Sequence, residues 1–138
     1  MKNLFFLSII LCMTFCVHAQ ESPSSTTGEV KDTVIIKPKK VLYGIASYYA
    51  EKFNGRKTAN GEIYDGTKMT AACNSLPLGT WIRVTNLSNN RTVIVKTNDR
   101  LHPRMTRVVD LSRAAAEKLG FIKKGLTKVK VEVLGKKI

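Results

Sequence analysis

Cysteine and acidic residues are scarce in this chain of 138 residues. Of its three cysteines, Cys12 and Cys16 lie in an apolar N-terminal run, which leaves Cys73 alone in the rest of the sequence. A lone thiol forms no internal disulfide, so the core must hold without covalent cross-links. The chain has 10 acidic and 23 basic residues, a formal net charge of +13. This excess favours polyanionic partners such as cell-wall polymers or anionic lipids.

Long hydrophobic runs are also missing after the N-terminus. The run from Leu4 to Val17 follows Lys2 and ends at Val17-His18-Ala19, a pattern that predicts a secretory signal peptide cleaved after Ala19. The run is too short for a stable membrane span. Phe15 precedes Cys16 where a lipidation signal needs a small residue, so we expect no lipid anchor. Cleavage would lower the charge from +13 to +12 through loss of Lys2.

Export and the pattern of basic residues argue against nucleic acid as a partner. The lysines and arginines are scattered and do not alternate with aromatic residues, as a base-stacking surface would require. We expect a periplasmic or extracellular protein associated with the cell envelope. It is expected to be a monomer that requires no cofactor and no metal ion.

The rest of the chain divides into a linker and one domain. Residues 20–40 are rich in Ser, Thr, Pro, Glu and Lys and are predicted to be a disordered linker. Residues 41–138 contain short β-branched runs separated by turn signals, a pattern typical of a compact β domain. Strands are predicted at Val41–Tyr49, Trp81–Asn86, Thr92–Thr97 and Lys128–Leu134. One helix is predicted at Arg113–Leu119, capped by Ser112 and ended by Gly120.

Two polar regions could carry chemistry. The segment from Phe53 to Cys73 contains three turn signals of the Asn-Gly or Asp-Gly type, and such loops often carry function. The strand in VIVKTNDR ends on Asp99, which is flanked by Lys96 and Arg100. If the strand continues, alternation places both cations on the face opposite Asp99. From the residues alone, Asp99 fits a turn cap as well as a catalytic acid. By the same standard Glu62, in the loop, fits a solvated charge.

Four stretches together resemble the rare lipoprotein A family. They are GIASYYAEKFNGRKTANGE (44–62), MTAACNSLPLGTWIRVTNL (69–87), VIVKTNDR (93–100) and RVVDLSRAAAEKLG (107–120). The resemblance implies a mainly β fold, a six-stranded double-psi β-barrel with one or two short helices, also found in expansins. It implies an endolytic lytic transglycosylase that cleaves peptidoglycan between N-acetylmuramic acid and N-acetylglucosamine. The muramic hydroxyl attacks its own anomeric carbon without water and leaves an anhydro sugar.

The resemblance also implies which carboxylates take part. The family's acid matches Asp99, and a second acidic position matches Glu62. If the two lie across a groove from each other, their repulsion would keep one protonated, as a general acid requires. Asp110 matches the acid of expansin-like relatives, although its simplest role is to hold the turn into the Ser112 helix.

The sequence departs from the family at two supporting positions. Cys73 stands where the family usually has histidine, and a thiol is a poor substitute as a proton donor. Cys73 is therefore expected to be a small buried residue of the core. His102 lies in a loop that replaces the family's glycine, and it could occupy part of the missing histidine's role. A surface loop histidine is the simpler interpretation.

Five residues are predicted to bind the glycan. One of the neighbouring tyrosines, with Tyr48 preferred over Tyr49, would stack on a sugar ring. The others would donate hydrogen bonds to acetamido or carboxylate groups, and they are Arg56, Thr58, Asn60 and Arg100. Because Cys73 replaces the family's histidine, a noncatalytic, expansin-like peptidoglycan-binding barrel is the alternative function. A secreted effector aimed at another cell's wall would share the same chemistry.

Overall fold

Six runs of β-forming residues make one closed barrel in the computed structural model, which describes residues 37–136. The strands are β1 (Lys40–Tyr48), β2 (Thr70–Ala72), β3 (Trp81–Asn86), β4 (Thr92–Asp99), β5 (Val109–Leu111) and β6 (Thr127–Gly135). Around the barrel they follow the order β1, β5, β2, β4, β3, β6. The helices are a 3-10 turn at Glu51–Phe53 and α1 at Arg113–Leu119. The predicted signal peptide and residues 20–36 of the predicted linker lie outside the described residues.

The four long strands were predicted from their periodicity, with ends that differ by at most two residues. They pair antiparallel as β1 with β6, β6 with β3, and β3 with β4. The two three-residue strands, β2 and β5, were not predicted because three residues show no period. Both are strands only through their partners: β5 runs parallel to β1, β2 runs parallel to β4, and β2 and β5 pair antiparallel with each other. These pairings close the barrel, so the predicted fold class is confirmed.

The barrel interior is filled by the apolar residue of each alternating pair. In β6, Val129 and Val131 are fully buried while Lys128 is exposed. In β3, Ile82 and Val84 are likewise fully buried. Alternation on a strand with one face toward the core explains both patterns.

The predicted helix is confirmed as α1. The Ser112 hydroxyl oxygen accepts a hydrogen bond from the Ala115 amide at 3.3 Å, and Gly120 adopts the left-handed conformation with φ 73°. The small face of α1 packs onto the barrel core through Ala115, Ala116 and Leu119. Of the helices within residues 37–136, none has the length and hydrophobicity needed to cross a membrane.

A β-bulge interrupts the end of β4. Ala71 pairs with Thr97, but Ala72 pairs with Asp99, so Asn98 is an extra residue in the ladder. Thr97 and Asn98 are both buried, whereas Asp99 is partly exposed. Strict alternation after Val95 and Thr97 would have turned Asp99 into the barrel. The bulge redirects it to the barrel's end, a role that bulges often have beside functional sites.

Candidate active site

The Asp99 carboxylate is held by three hydrogen bonds. Its Oδ1 accepts from the backbone amides of Ala59 at 2.9 Å and Arg100 at 2.8 Å. Its Oδ2 accepts from the Tyr49 hydroxyl at 2.7 Å. One donor therefore comes from the turn-rich loop, one from the strand end and one from the residue after β1. The carboxylate is fixed in direction by three separate segments of chain.

Asp99 lies on the wall of an open cavity of about 600 Å³. This volume falls in the range of small-molecule sites in proteins. The cavity is bordered by aromatic residues and by several cations. Its polar and aromatic lining comprises Tyr48, Tyr49, Phe53, Tyr64, Lys52, Arg56, Lys57, Asp99, Arg100, His102, Arg107 and Asp110.

Tyr49, and not Tyr48, is the tyrosine at the carboxylate. Burial, followed by the hydrogen bond to Asp99, raises the pKa of Tyr49 far above the ordinary tyrosine value. Its ring lies 4.5 Å from that of Tyr64 and 5.6 Å, edge to face, from that of Phe53, measured between centroids. Tyr49 is therefore a protonated donor in a rigid aromatic cluster.

Tyr48 borders the same cavity, but both its hydroxyl and its ring contact residues other than Asp99. Its hydroxyl donates to the Ile122 carbonyl at 3.0 Å, and its ring packs edge to face on Phe121 at 5.8 Å. The alternation of the two tyrosines was predicted, but the preference for Tyr48 as the groove residue does not agree with this packing. The contact between Tyr49 and Asp99 could not be predicted from the sequence, because the two residues are 50 positions apart and meet only in the folded barrel.

Glu62 does not share the cavity of Asp99 in the way the sequence suggested. Its Oε2 accepts from the Asn98 side-chain amide at 3.0 Å, and it borders a smaller depression with Lys68 and Asn98. Donation by Asn98, helped by Asn60 and by the charge of Lys96, lowers the pKa of Glu62. The expected proton-sharing pair is thus replaced by an ionised Glu62 tied to the residue before Asp99.

The loop that carries Glu62 is built by Thr58 and Asn60. The buried Thr58 hydroxyl donates to Asn60 Oδ1 at 2.6 Å, and the same oxygen accepts from the Glu62 amide at 3.1 Å. The Asn60 amide donates to the Asn98 carbonyl at 3.2 Å. These contacts hold the loop on the end of β4, where Ala59 reaches Asp99. Thr58 and Asn60 are therefore loop-forming residues here, although both were predicted to bind substrate.

The two arginines predicted to bind substrate differ. Arg56 is exposed at the cavity, with its guanidinium carbon 5.2 Å from the centroid of Phe53. Arg100 also borders the cavity, but its Nη1 donates to the carbonyls of Cys73 and Leu76. Arg100 was predicted to lie on the face opposite Asp99 if the strand continued, but β4 ends at Asp99 and both residues border the cavity. Arg100 anchors the 73–76 turn.

Cys73 is fully buried in the core cluster. Burial raises the pKa of its thiol, and its backbone amide donates to the Asp99 carbonyl at 3.1 Å. The expectation of a small buried residue is confirmed. The thiol has no access to a ligand in the cavity.

Asp110 and His102 both border the cavity of Asp99. The Asp110 carboxylate receives a two-pronged contact from Arg107, with Nε to Oδ1 at 2.7 Å and Nη2 to Oδ2 at 2.8 Å. This contact raises the pKa of Arg107. The turn into α1 is capped by Ser112, and the Asp110 side chain binds Arg107 instead. His102 is exposed, and its Nδ1 accepts from the Arg104 amide at 3.3 Å.

No three His, Cys, Asp or Glu side chains within residues 37–136 are grouped closely enough to hold a metal ion. The local chemistry is that of carboxylates, phenols and cations.

Residues 42–131 match the protein family described as lytic transglycolase. The chain belongs to this family. Membership confirms the double-psi form of the barrel and the family resemblance drawn from the four sequence stretches.

Relatives in several bacterial genera carry the name endolytic peptidoglycan transglycosylase RlpA. The Pseudomonas aeruginosa PAO1 protein is 54% identical over 91 residues, 66% of this chain and 27% of the relative. The Haemophilus influenzae protein is 50% identical over 121 residues, 88% of this chain and 40% of the relative. The Campylobacter jejuni protein is 40% identical over 113 residues, 82% and 41% of the two chains. This chain therefore spans less than half the length of these relatives.

Solved structures of lower identity share the fold. A Streptomyces papain inhibitor is 24% identical, with a TM-score of 0.57 over 72% of this chain and 98% of its own. A mutant Clavibacter michiganensis expansin in complex with cellohexaose is 19% identical, with a TM-score of 0.57 over 72% and 52% of the two chains. At these identities the likeness is one of architecture alone.

Proposed function

We propose that this protein is an exported lytic transglycosylase of the lytic transglycolase family that cuts peptidoglycan glycan strands internally. The observation that carries the proposal is the Asp99 carboxylate, held by three hydrogen bonds on the wall of an open cavity. The names of the RlpA relatives support peptidoglycan as the substrate class.

The proposed reaction breaks the glycosidic bond to N-acetylglucosamine at the anomeric carbon of N-acetylmuramic acid. Asp99, as the acid, gives a proton to the departing glycosidic oxygen. A hydroxyl of the same muramic sugar attacks the anomeric carbon and returns its proton to the Asp99 carboxylate. The products are an anhydromuramyl end and a new N-acetylglucosamine end, and no water is consumed. A single carboxyl group can act as acid and base in sequence when it is fixed near both oxygens.

The cations around the cavity fit a negatively charged glycan. Lys52, Arg56 and Lys57 border it, and Arg56 is exposed and free of ion-pair partners among residues 37–136. We assign Arg56 to carboxylate groups on the muramyl sugar, for which a guanidinium is suited. Focused positive potential of this kind also raises the rate at which anionic substrates arrive.

Glu62 takes a supporting role in this proposal. Its ionised carboxylate binds Asn98, which precedes Asp99, and its loop supplies the Ala59 amide to Asp99. Loss of Glu62 would loosen the loop that holds the acid. Proton transfer itself is assigned to Asp99.

Incubation of the purified protein with intact sacculi, followed by mass spectrometry of soluble fragments, tests the reaction. We expect anhydromuramyl ends from the native protein and a fall in their release of about 10²- to 10⁴-fold for Asp99→Asn, the usual contribution of a general acid. Asp65→Asn is a matched control, because it makes the same change of charge at a residue outside this cavity. Reducing muramyl ends instead of anhydro ends would contradict the proposal and indicate hydrolysis.

The noncatalytic binder stays as a second candidate because of Cys73. The position at which the family resemblance predicts histidine holds a fully buried thiol. Co-sedimentation with sacculi, measured in the same samples, separates the two functions. Binding without anhydromuramyl ends would favour the binder, and ends that vanish in Asp99→Asn while binding persists would favour the enzyme.

The proposed setting is the periplasm or the exterior, with the protein associated with the envelope as a monomer. The N-terminal signal pattern and the basic charge support this placement. Cell fractionation with N-terminal sequencing of the mature protein tests cleavage after Ala19. Light scattering at working concentration tests the monomer.

A further inference from the structure

The two oxygens of the Asp99 carboxylate are in different environments. Oδ1 accepts from two backbone amides, those of Ala59 and Arg100. A backbone amide can only donate, so a proton placed on Oδ1 would face two N–H groups. Oδ2 accepts only from the Tyr49 hydroxyl among the hydrogen bonds of the described residues. A protonated Asp99 must therefore carry its proton on Oδ2.

The Tyr49 hydroxyl is a partner that suits both states of Oδ2. A phenol has one O–H to donate and lone pairs to accept, and it can rotate between the two uses. It donates to Oδ2 when Asp99 is ionised, and it can accept from Oδ2 when Asp99 is protonated. Packing between Phe53 and Tyr64 keeps the ring in place while the hydroxyl hydrogen turns.

We propose that Tyr49 is a positioning residue for the reaction: it fixes Oδ2 as the proton-carrying oxygen of Asp99 and follows each change of protonation by reversing its hydrogen bond. This inference rests on the proposed function for its catalytic meaning. The Tyr49 proton stays on Tyr49 throughout, and only the proton on Asp99 Oδ2 is exchanged with the sugar oxygens.

Other charged and titratable groups lie near Tyr49 and Asp99, and their charges also affect how this pair responds to pH. Asp110 on β5 forms an ion pair with the guanidinium of Arg107, which precedes that strand. Asp110 nevertheless acts on Tyr49, because its charge contributes to the raised pKa of that phenol. The remaining charged or titratable groups that border the cavity are Tyr48, Lys52, Arg56, Lys57, Tyr64, Arg100 and His102.

Tyr49→Phe tests the proposal through the pH profile of turnover. The hydrogen bond that Tyr49 donates to the ionised carboxylate is stronger than the one it accepts from the protonated form, so its loss should move the limb due to Asp99 to higher pH by about one unit. We expect kcat to fall roughly tenfold, with KM changed less. Tyr48→Phe removes a hydroxyl that binds Ile122 and should leave the position of the limb unchanged. A purely structural role for Tyr49 would lower stability and would not move the limb.

Carbon NMR tests the same proposal without any turnover. The Tyr49 ζ-carbon shift of the native protein should step at the pH midpoint of the Asp99 carboxyl carbon, because the hydroxyl reverses its bond there. The step should vanish in Asp99→Asn and persist in Asp110→Asn. This measurement uses Tyr49 intact, so it remains decisive if Tyr49→Phe does not fold.

The two proposals fail in different ways. A silent Tyr49 carbon at the Asp99 midpoint, or an unmoved limb in Tyr49→Phe, overturns the positioning role and leaves the lytic reaction standing. Absence of anhydromuramyl ends from the native protein, or full release of them by Asp99→Asn, would remove the catalytic meaning but would leave the coupled titration in place.

Discussion

The barrel wall and its rim are built by different rules. The wall consists of β1, β3, β6 and β4 as far as Val95, where apolar and polar residues alternate over long antiparallel registers. The rim consists of Tyr49, the loop 58–62 and the bulged segment 97–100, where single hydrogen bonds join distant segments. The bond from Ala59 to Asp99 alone spans forty residues of sequence. Stability is therefore distributed over many wall side chains, whereas the direction of the acid depends on a few rim contacts.

The largest effect on the wall is expected from Ile82→Ala. Ile82 is fully buried in β3, and removing its methyl and methylene groups leaves a cavity, which costs about 2–5 kcal/mol of unfolding free energy. Ile94→Ala is a matched control in the neighbouring β4, where the side chain is 38% exposed, and should cost less than about 1 kcal/mol. Urea denaturation measures both. Equal losses would show that wall and exterior are not distinguished by burial.

A smaller effect is expected from Cys73→His, which changes the boundary between wall and rim. The fully buried thiol is packed in the core, and an imidazole there adds volume that should cost about 1–3 kcal/mol. Cys73→Ser, of similar size, controls for the loss of sulfur. Thermal unfolding and anhydromuramyl release are measured together. Unchanged stability with higher activity would show that the rim can rearrange around a histidine, against the rigid boundary described here.

The smallest effect concerns Glu62 and pH. Because the Asn98 amide lowers the pKa of Glu62 in the folded state, its contribution to stability is present above the unfolded-state value of 4.5 and is lost as the pH falls through the folded-state pKa. The side chain is exposed, so we expect only a few tenths of a kcal/mol. Glu62→Gln should therefore lose slightly less stability than the native protein between pH 5 and about pH 3.

Asn98→Ala provides the check on this assignment. Without the Asn98 amide, Glu62→Gln should have a clearly smaller additional effect on the acid dependence of unfolding. An undiminished effect of Glu62→Gln in that background would assign the lowered pKa to the neighbouring lysines.

Prediction from the sequence succeeded where a feature repeats or is local. The alternation in β6 and the capping pair Ser112 and Gly120 are local signals, and both features were found in the structure. The three-residue strands β2 and β5 carried no such signal, because their pairing depends on partners far away in the chain.

Among the site residues, too, local features were predicted correctly and contacts between distant segments were not. Asp99 at a strand end and the buried Cys73 agree with the sequence analysis, since each follows from its own short context. Glu62 was placed opposite the acid, and Tyr48 was preferred as the sugar-stacking residue, because a linear pattern cannot show that a bulge at Asn98 turns the strand end. The partner that β1 brings to the acid is Tyr49.

The amino-acid order by itself determined the long strands, the capped helix, the unpaired thiol and the basic charge, because each depends on neighbours within a few positions. Only the tertiary structure decided that Tyr49, Ala59 and Arg100 would enclose one carboxylate and that Glu62 would bind Asn98 instead. Hydrogen bonds between distant segments need the closed barrel to bring their donors within 3 Å of the acceptor.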